Sequence, residues 1–431
     1  MNAVVYAKLF IGDELSMVNR VVITGYGGLC SLGENIDEIW DAILNYRVGY
    51  ERREFPGTSI KSKYFGLIKD NRERYKGIPK SILKFSPEFS RYALYAAKQA
   101  LEMACGEGNT VSDIIDPYDI GVMVGTGWGG VDNVNYNNND YRAEGITTSF
   151  SSLMSMPSVA TGAVSLAWNL RGYQNTPVAA CATGTMAIGD AYEIIKSGRQ
   201  KMMLAGGSES LKEEFNVWSI DILDALSNEQ QDVSLACCPF DLSRSGFVLS
   251  EGAAIVCLEE LEHAKARGAR ILGEIVGYAN YSDAFDMTAP AGDLGARVKV
   301  IQSALQSAGI NADELDYINL HGTSTPLNDV NETNAVKAAL GDCAYAIPMS
   351  STKSYTGHLI SAAGSMESIF CLKAIADLTV PATIHLNNPD PACDLDYTAN
   401  THRKLDAINT VMNLSFGFGG ANCAIVFKRY S

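Results

Sequence analysis

The chain runs twice through the same order of elements, and that repetition limits its fold more than any other feature. Arg20-Val21-Val22-Ile23-Thr24-Gly25-Tyr26-Gly27 reads as a buried strand ending in glycine, and Arg270 to Ala279 reads as a second one. An amphipathic helix follows in each half, Ser90 to Met103 and Leu294 to Ala308. Then comes a strand ending at a glycine-rich turn, Ile120 to Gly125 and Tyr317 to Gly322. Each half next opens a helix from a small-residue turn, with Cys181 just before the first and His358 just before the second. Strands alternating with helices predict an α/β layered fold. The shared order predicts a duplicated unit with its functional centre where the halves meet. The expected divisions are an N-terminal extension over 1–17, a first half over 18–268 and a second over 269–431.

Between these elements the signals are local. Asn135 to Asp140 reads as a polar loop, Leu258 to Arg267 as a helix stopped by Gly268, and Pro389-Asp390-Pro391 as a turn. Val411 to Asn422 carries two apolar stretches around Gly417-Phe418-Gly419-Gly420, ahead of a strand from Cys423 to Phe427. Such a turn serves positive φ or close approach to a ligand. It is not a phosphate loop, since the lysine and the following helix are missing.

Charge and cysteine usage narrow the function. The net charge of −15 argues against a nucleic-acid partner. Yet nine basic residues against three acidic ones between Lys61 and Arg91 make an island of +6, suited to an acidic partner or to a solvated surface. Ten scattered cysteines without paired spacing predict a reduced, cytoplasmic protein, and no structural zinc site has support. No apolar run of about 18 residues predicts a membrane span. Lys8, Asp13 and Glu14 interrupt the apolar start, so a secretory signal is not expected.

The chemistry sits at the strand ends. Pro177-Val178-Ala179-Ala180 reads as a strand leading into Cys181, and Gly184 to Ile195 as the helix that follows. A thiol at that junction meets the positive end of the helix dipole, which favours thiolate. His321, in Leu320-His321-Gly322-Thr323-Ser324-Thr325-Pro326, and His358, after Lys353-Ser354-Tyr355-Thr356-Gly357, are two of only five histidines. One activated cysteine with two distant histidines suggests covalent acyl chemistry.

Together these motifs resemble the β-ketoacyl–carrier-protein synthases, condensing enzymes of the thiolase-like αβαβα fold. The likeness rests on Ala180-Cys181-Ala182-Thr183-Gly184, the His321 and His358 motifs, Phe240-Asp241, Gly246 to Ala253, and Ser415-Phe416-Gly417-Phe418-Gly419-Gly420, and runs from Val18 to Lys428. It most resembles the elongating Cys-His-His branch. The resemblance implies that Cys181 holds the acyl chain and that His321 and His358 stabilise the enolate of a decarboxylating malonyl unit. Lys353 would tune their charge, and Glu367 would be a structural buried acid. The backbone N–H groups of Cys181 and Phe416 would form a second oxyanion hole, with Phe416 as gate. Thr323, Thr325 and Phe418 would contact substrate on the pantetheine arm, with Asp283 and Phe285 in a mobile loop and Trp128 against the acyl tunnel. Lys80 and Lys84 would dock an acyl carrier protein. The partners implied are that carrier and an identical or homologous chain-length subunit in a dimer. No cofactor or metal is implied beyond the carrier's phosphopantetheine.

Three departures favour a specialised pathway, such as type II polyketide or polyene assembly, over primary fatty-acid synthesis. Trp128 replaces a smaller aliphatic residue, Asp224 stands where an arginine is common, and Phe285-Asp286 replaces a Tyr-His pair. A degradative thiolase would need a second catalytic cysteine where Gly417 to Gly420 stands. A non-catalytic chain-length subunit would lack Cys181, and an initiating synthase would carry asparagine in place of one histidine.

Overall fold

The computed structural model describes residues 18–431 apart from 107 and 230, so the expected extension over 1–17 lies outside the described residues. Ten strands build the main sheet: β1 (Val21–Cys30), β2 (Ile120–Gly125), β3 (Gln174–Asn175), β4 (Met202–Glu209), β5 (Gly252–Glu260), β6 (Gly273–Ser282), β7 (Tyr317–Asn319), β8 (Met349–Ser350), β9 (Thr410–Gly417) and β10 (Ala421–Lys428). Their order across the sheet is β8-β7-β9-β10-β6-β1-β5-β4-β2-β3. The order is symmetric about the centre. In each half the first strand pairs antiparallel with the last, the last pairs antiparallel with its neighbour, and two parallel pairings lead to the edge. The halves join through β1 and β6, antiparallel, with Val21 opposite Ile275 and Ile23 opposite Gly273.

The strands are apolar on both faces because both are covered. With a side-chain period of two, Met203 and Ala205 of β4 face one side while Met202 and Leu204 face the other. The same alternation puts Val411 of β9 inward and Met412 outward. The inner core holds α3 (Thr183–Lys196) and α6 (Ala363–Asp377) between the sheet halves. Outside, α1 (Glu88–Cys105) covers the first half and α4 (Gly295–Ala308) with α5 (Pro326–Leu340) covers the second. This is the expected layered α/β fold of thiolase type, helix–sheet–helix–sheet–helix. No helix among the described residues is long and apolar enough to cross a membrane.

Three local expectations are corrected. The polar run Asn135 to Asp140 lies inside a helix, α2 (Val131–Glu144), not a loop. Its apolar periodicity is weak because polar contacts anchor it: buried Asp132 accepts from the backbone N–H groups of Lys212 and Glu213 and from the side chain of Asn216, and Gly145, at φ +71°, ends it. The helix expected from Leu258 starts only at Leu261, because Leu258 to Glu260 complete the ladder with β1. The Glu260 carboxylate then caps the new helix by accepting from the N–H groups of Glu262 and His263. Finally, Pro177 to Ala180 does not join the sheet; pairing in that segment is confined to Gln174 and Asn175, which bond to β2.

Candidate active site

Two sharp bends deliver the central groups. Ala180 sits at φ +46° and Ile360 at φ +51°, the left-handed region that side chains with a Cβ seldom adopt. The bends are symmetry-related: Ala180-Cys181-Ala182-Thr183-Gly184 leads into α3, and Ile360-Ser361-Ala362-Ala363-Gly364 leads into α6. The helices then cross at their first turns. A Cβ on Gly184 would lie 2.6 Å from the Ser361 carbonyl oxygen, and one on Gly364 would lie 2.1 Å from Thr185 Oγ1. Each bend packs on a strand end of the opposite half, Cys181 near Gly417 of β9 and Ser361 on Gly207 of β4.

Cys181 is buried, and its Sγ and the ring nitrogens of His321 and His358 lie within 4.8 Å of one another. The imidazoles meet edge to face with centroids 5.4 Å apart. His358 is pinned beside the short segment Leu249–Ser250: its N–H donates to Val248 O at 2.7 Å, and its carbonyl accepts from Ser250 N at 3.0 Å. Its Nδ1 accepts from Ile360 N at 3.2 Å. The proton therefore sits on Nε2, which is buried without a partner. His321 is held through its backbone. Glu332 of α5 accepts from His321 N and Gly322 N, each at 2.7 Å, and Lys353 Nζ donates to His321 O at 2.6 Å. Lys353 Nζ also lies 3.5 Å from His321 Nδ1, which makes that nitrogen the acceptor and Nε2 the N–H. Burial, reinforced by the Lys353 charge, holds both imidazoles well below 6.5, so both are neutral donors near neutral pH.

Lys353 and Glu367 form a buried pair at 2.5 Å. Glu367 Oε2 has no partner, and burial raises the carboxyl to about 7 against the pull of Lys353. The nucleophile differs from expectation. A helix N-terminus favours thiolate, but burial is the larger influence and pushes the Cys181 thiol up to about 12. The charge of Lys353 and the backbone N–H groups of Phe418 and of Cys181 itself oppose that only in part.

That detail corrects the oxyanion assignment. The backbone N–H beside the sulfur belongs to Phe418, not Phe416. Phe416 is a buried strand residue whose ring packs 5.8 Å from His321 and carries the Arg297 guanidinium 4.1 Å from its centroid. Phe418 is half-exposed in the turn with Gly419 and Gly420, both at positive φ, whereas Phe416, expected as a gate, is fixed in the strand.

A cavity of about 290 Å³ joins these groups to solvent. Of the expected substrate contacts, Thr323, Thr325, Asp283 and Phe418 line it. Thr323 and Thr325 share a hydroxyl hydrogen bond of 2.9 Å at the mouth. Phe285 does not line it; the residue is 65% exposed, which corrects the expectation that it contacts substrate here. Trp128 lies outside this cavity too, but packs in the same apolar cluster as Cys181, with Phe55, Leu211 and Ile360. Its loop is held by Glu209, which accepts from Gly127 N, Thr126 Oγ1 and Ser361 Oγ. Lys80 and Lys84 sit apart, on a cleft of about 1060 Å³ that also presents Arg72, Lys76, Arg91 and Lys212. Asp224, at the cavity mouth, pairs with Lys61 at 3.0 Å. Arg297 is a charged lining residue that sequence reasoning missed. Its one signal is position, a cation in the first turn of a helix, where the dipole disfavours it.

Comparison with known proteins agrees with this geometry. The model of the β-ketoacyl synthase N-terminal domain matches residues 18–264, and that of the C-terminal domain matches 272–387. A "3-oxoacyl-[acyl-carrier-protein] synthase 2" of Synechocystis sp. is 38% identical over 95% of this chain and 98% of its own. One from Staphylococcus aureus is 38% identical over 96% of this chain and 100% of its own. Among solved structures, the AntDE ketosynthase of a type II polyketide system, described in complex with its acyl-carrier protein AntF and bound to the hexaketide, superposes with a TM-score of 0.88 at 34% identity, covering 96% of this chain and all of its own. A β-ketoacyl synthase from Burkholderia phymatum gives 0.87 at 36% identity with the same coverage.

Proposed function

Because this chain belongs to the β-ketoacyl synthase family, we propose that it performs each half of a decarboxylative condensation with the groups just described. The supporting observation is the meeting of one thiol and two neutral imidazole N–H donors at the end of a single cavity.

In the first half-reaction the Cys181 sulfur attacks an acyl thioester on a carrier protein. The S–acyl bond to the carrier breaks, the Cys181 proton ends on the departing pantetheine thiol, and the acyl group stays on Cys181. A thiol raised to about 12 holds its proton until that leaving group can take it. The backbone N–H groups of Cys181 and Phe418 face the oxyanion of this step. In the second half-reaction a malonyl thioester places its carbonyl oxygen against Nε2–H of both His321 and His358. The carbon–carboxylate bond breaks, its electron pair enters the enolate, and CO₂ leaves. The enolate carbon attacks the acyl carbon, Cys181 departs as thiolate and takes up a proton, and a 3-oxoacyl carrier results.

The partner is read as an acidic acyl carrier protein docking on the cleft of Lys80 and Lys84, which carries positive charge in a chain of −15. Edge strand β3 leaves one end of the sheet unpaired, which supports a dimer with an identical or homologous chain. Ten unpaired cysteines support a reducing, cytoplasmic setting. Trp128, packed on the apolar cluster that contains Cys181, supports a specialised acyl chain over long saturated ones.

Intact-protein mass spectrometry after incubation with acyl- and malonyl-loaded carriers tests the reading. Wild type should gain an acyl adduct that Cys181→Ala lacks and should then release a 3-oxoacyl carrier. An adduct that survives in Cys181→Ala, or none from any carrier, sinks it.

A further inference from the structure

Arg297 is in an electrostatically unusual position. It lies in the first turn of α4, where the helix dipole opposes a cation, and only 5% of it is exposed. Nε and Nη1 are buried without a hydrogen-bond partner. Asp283, Asp329 and Glu332 are near enough to act on its charge, yet their carboxylates are engaged elsewhere. Those of Glu332 accept from His321 N and Gly322 N, those of Asp283 from Asn422 and Ala291, and those of Asp329 from Phe240 N and Asn328. What Arg297 touches is the face of Phe416, and a cation–π contact recovers only part of the cost of taking a guanidinium out of water. A buried, unpaired fork that lines a cavity is shaped for an oxyanion, because its planar donors match a carboxylate two by two.

We propose that Arg297 receives the free carboxylate of the malonyl extender unit and so distinguishes extender from primer. This rests on the ketosynthase reading above. The cavity that Arg297 lines also holds Cys181, His321 and His358, and the Arg297 charge is felt at His321. In a malonyl thioester one carbon separates the carboxylate from the thioester carbonyl. Arg297 and His321 flank the same ring, with the Phe416 centroid 4.1 Å from the guanidinium and 5.8 Å from the imidazole, and both line the one cavity. Before reaction the negative charge sits at Arg297. When the carbon–carboxylate bond breaks, its electron pair moves into the enolate, and the charge passes to the oxygen under His321 and His358. The CO₂ that leaves is neutral and has no hold on the guanidinium. A primer chain without an anion gains nothing from Arg297. Because the contact is made before reaction and lost during it, it lowers KM and does not raise kcat.

The test compares two unreactive carriers, one bearing a carboxylate-containing amide analogue of malonyl and the other its neutral acetyl counterpart. Their binding to wild type, Arg297→Gln and Arg297→Lys is measured by calorimetry, and steady-state kinetics with malonyl carrier are run beside it. Wild type should bind the carboxylate analogue on the order of tenfold or more tightly than the neutral one. Arg297→Gln should lose that preference, and Arg297→Lys should retain part of it. KM for malonyl carrier should rise in Arg297→Gln, with kcat unchanged or raised. No preference in wild type, a preference intact in Arg297→Gln, or a fall in kcat at constant KM would overturn the proposal. The wild-type comparison stands even if a variant fails to fold. Acylation of wild-type Cys181 by a primer carrier separates the two readings: an acylated enzyme indifferent to the carboxylate loses only this inference, whereas an enzyme never acylated loses the ketosynthase reading as well.

Discussion

Replacing His358 by alanine removes one of two N–H donors at the enolate oxygen and leaves the other half-reaction its own donors. The hydrogen bond from Ile360 N fixes the His358 tautomer, and Nε2–H has no protein partner to lose, so the whole effect falls on the reacting oxygen. Loss of one preorganised donor at a developing oxyanion costs about 3–4 kcal/mol, or about two to three decades in rate. In the proposed mechanism the Cys181 oxyanion is served by the backbone N–H groups of Cys181 and Phe418, which His358→Ala does not touch. Acyl transfer to Cys181 should therefore stay within a fewfold of wild type. Single-turnover mixing of pre-acylated enzyme with malonyl carrier reads the second step, and mass spectrometry of Cys181 reads the first. Equal losses in both steps, or a condensation loss under tenfold, would refute the division of labour. Both imidazoles are held well below 6.5, so ¹⁵N shifts of the ring nitrogens should show neutral Nε2–H tautomers from pH 8 down to 6. Imidazolium signals in that window would refute the argument independently.

The Cys181 thiol, raised to about 12, should be alkylated about tenfold faster per unit of pH from 7 to 9, and a plateau by pH 8 would show a thiolate instead. Glu367, raised to about 7 from 4.5, favours the folded state while protonated, and that contribution is lost as pH rises through 7. Urea unfolding should thus show Glu367→Gln gaining about 3 kcal/mol relative to wild type between pH 4.5 and 8, and parallel pH curves would contradict this. Trp128→Ala opens the apolar cluster beside Cys181 and should lengthen the longest acyl chain transferred to that residue; an unchanged chain-length profile by mass spectrometry would place Trp128 outside the acyl path.

Some parts of the site were legible in the sequence and others were not. Cys181, His321 and His358 could be found because reactive residue types stood at strand ends in a repeated order, and topology brings such ends together. Phe416 and Phe418 were confused because they are two residues apart in one motif. The ladder of β9 carries the first into the core beside Arg297, while the chain leaves the strand before the second, and no periodicity marks that exit. Arg297 was missed because a basic residue on an amphipathic helix reads as solvated, whereas in the fold its guanidinium lies buried against the Phe416 ring of β9. The helix over Val131–Glu144 was hidden because side-chain bonds to Asp132 and Asn135 hold it where an apolar stripe usually would.

An enzyme assembled from two copies of one unit has two chances to place a reactive atom at the bend before its inner helix. Here the copies have parted company. The first bend offers a sulfur to the cavity; the second offers Ser361, whose hydroxyl donates at 2.9 Å to the Glu209 carboxylate that restrains Gly127 beside Trp128. The proposed bond making falls to Cys181, while Ser361 helps to hold a loop of the other copy. Each half thus carries a duty that the other half needs, and neither could be exchanged for a second copy of its sibling.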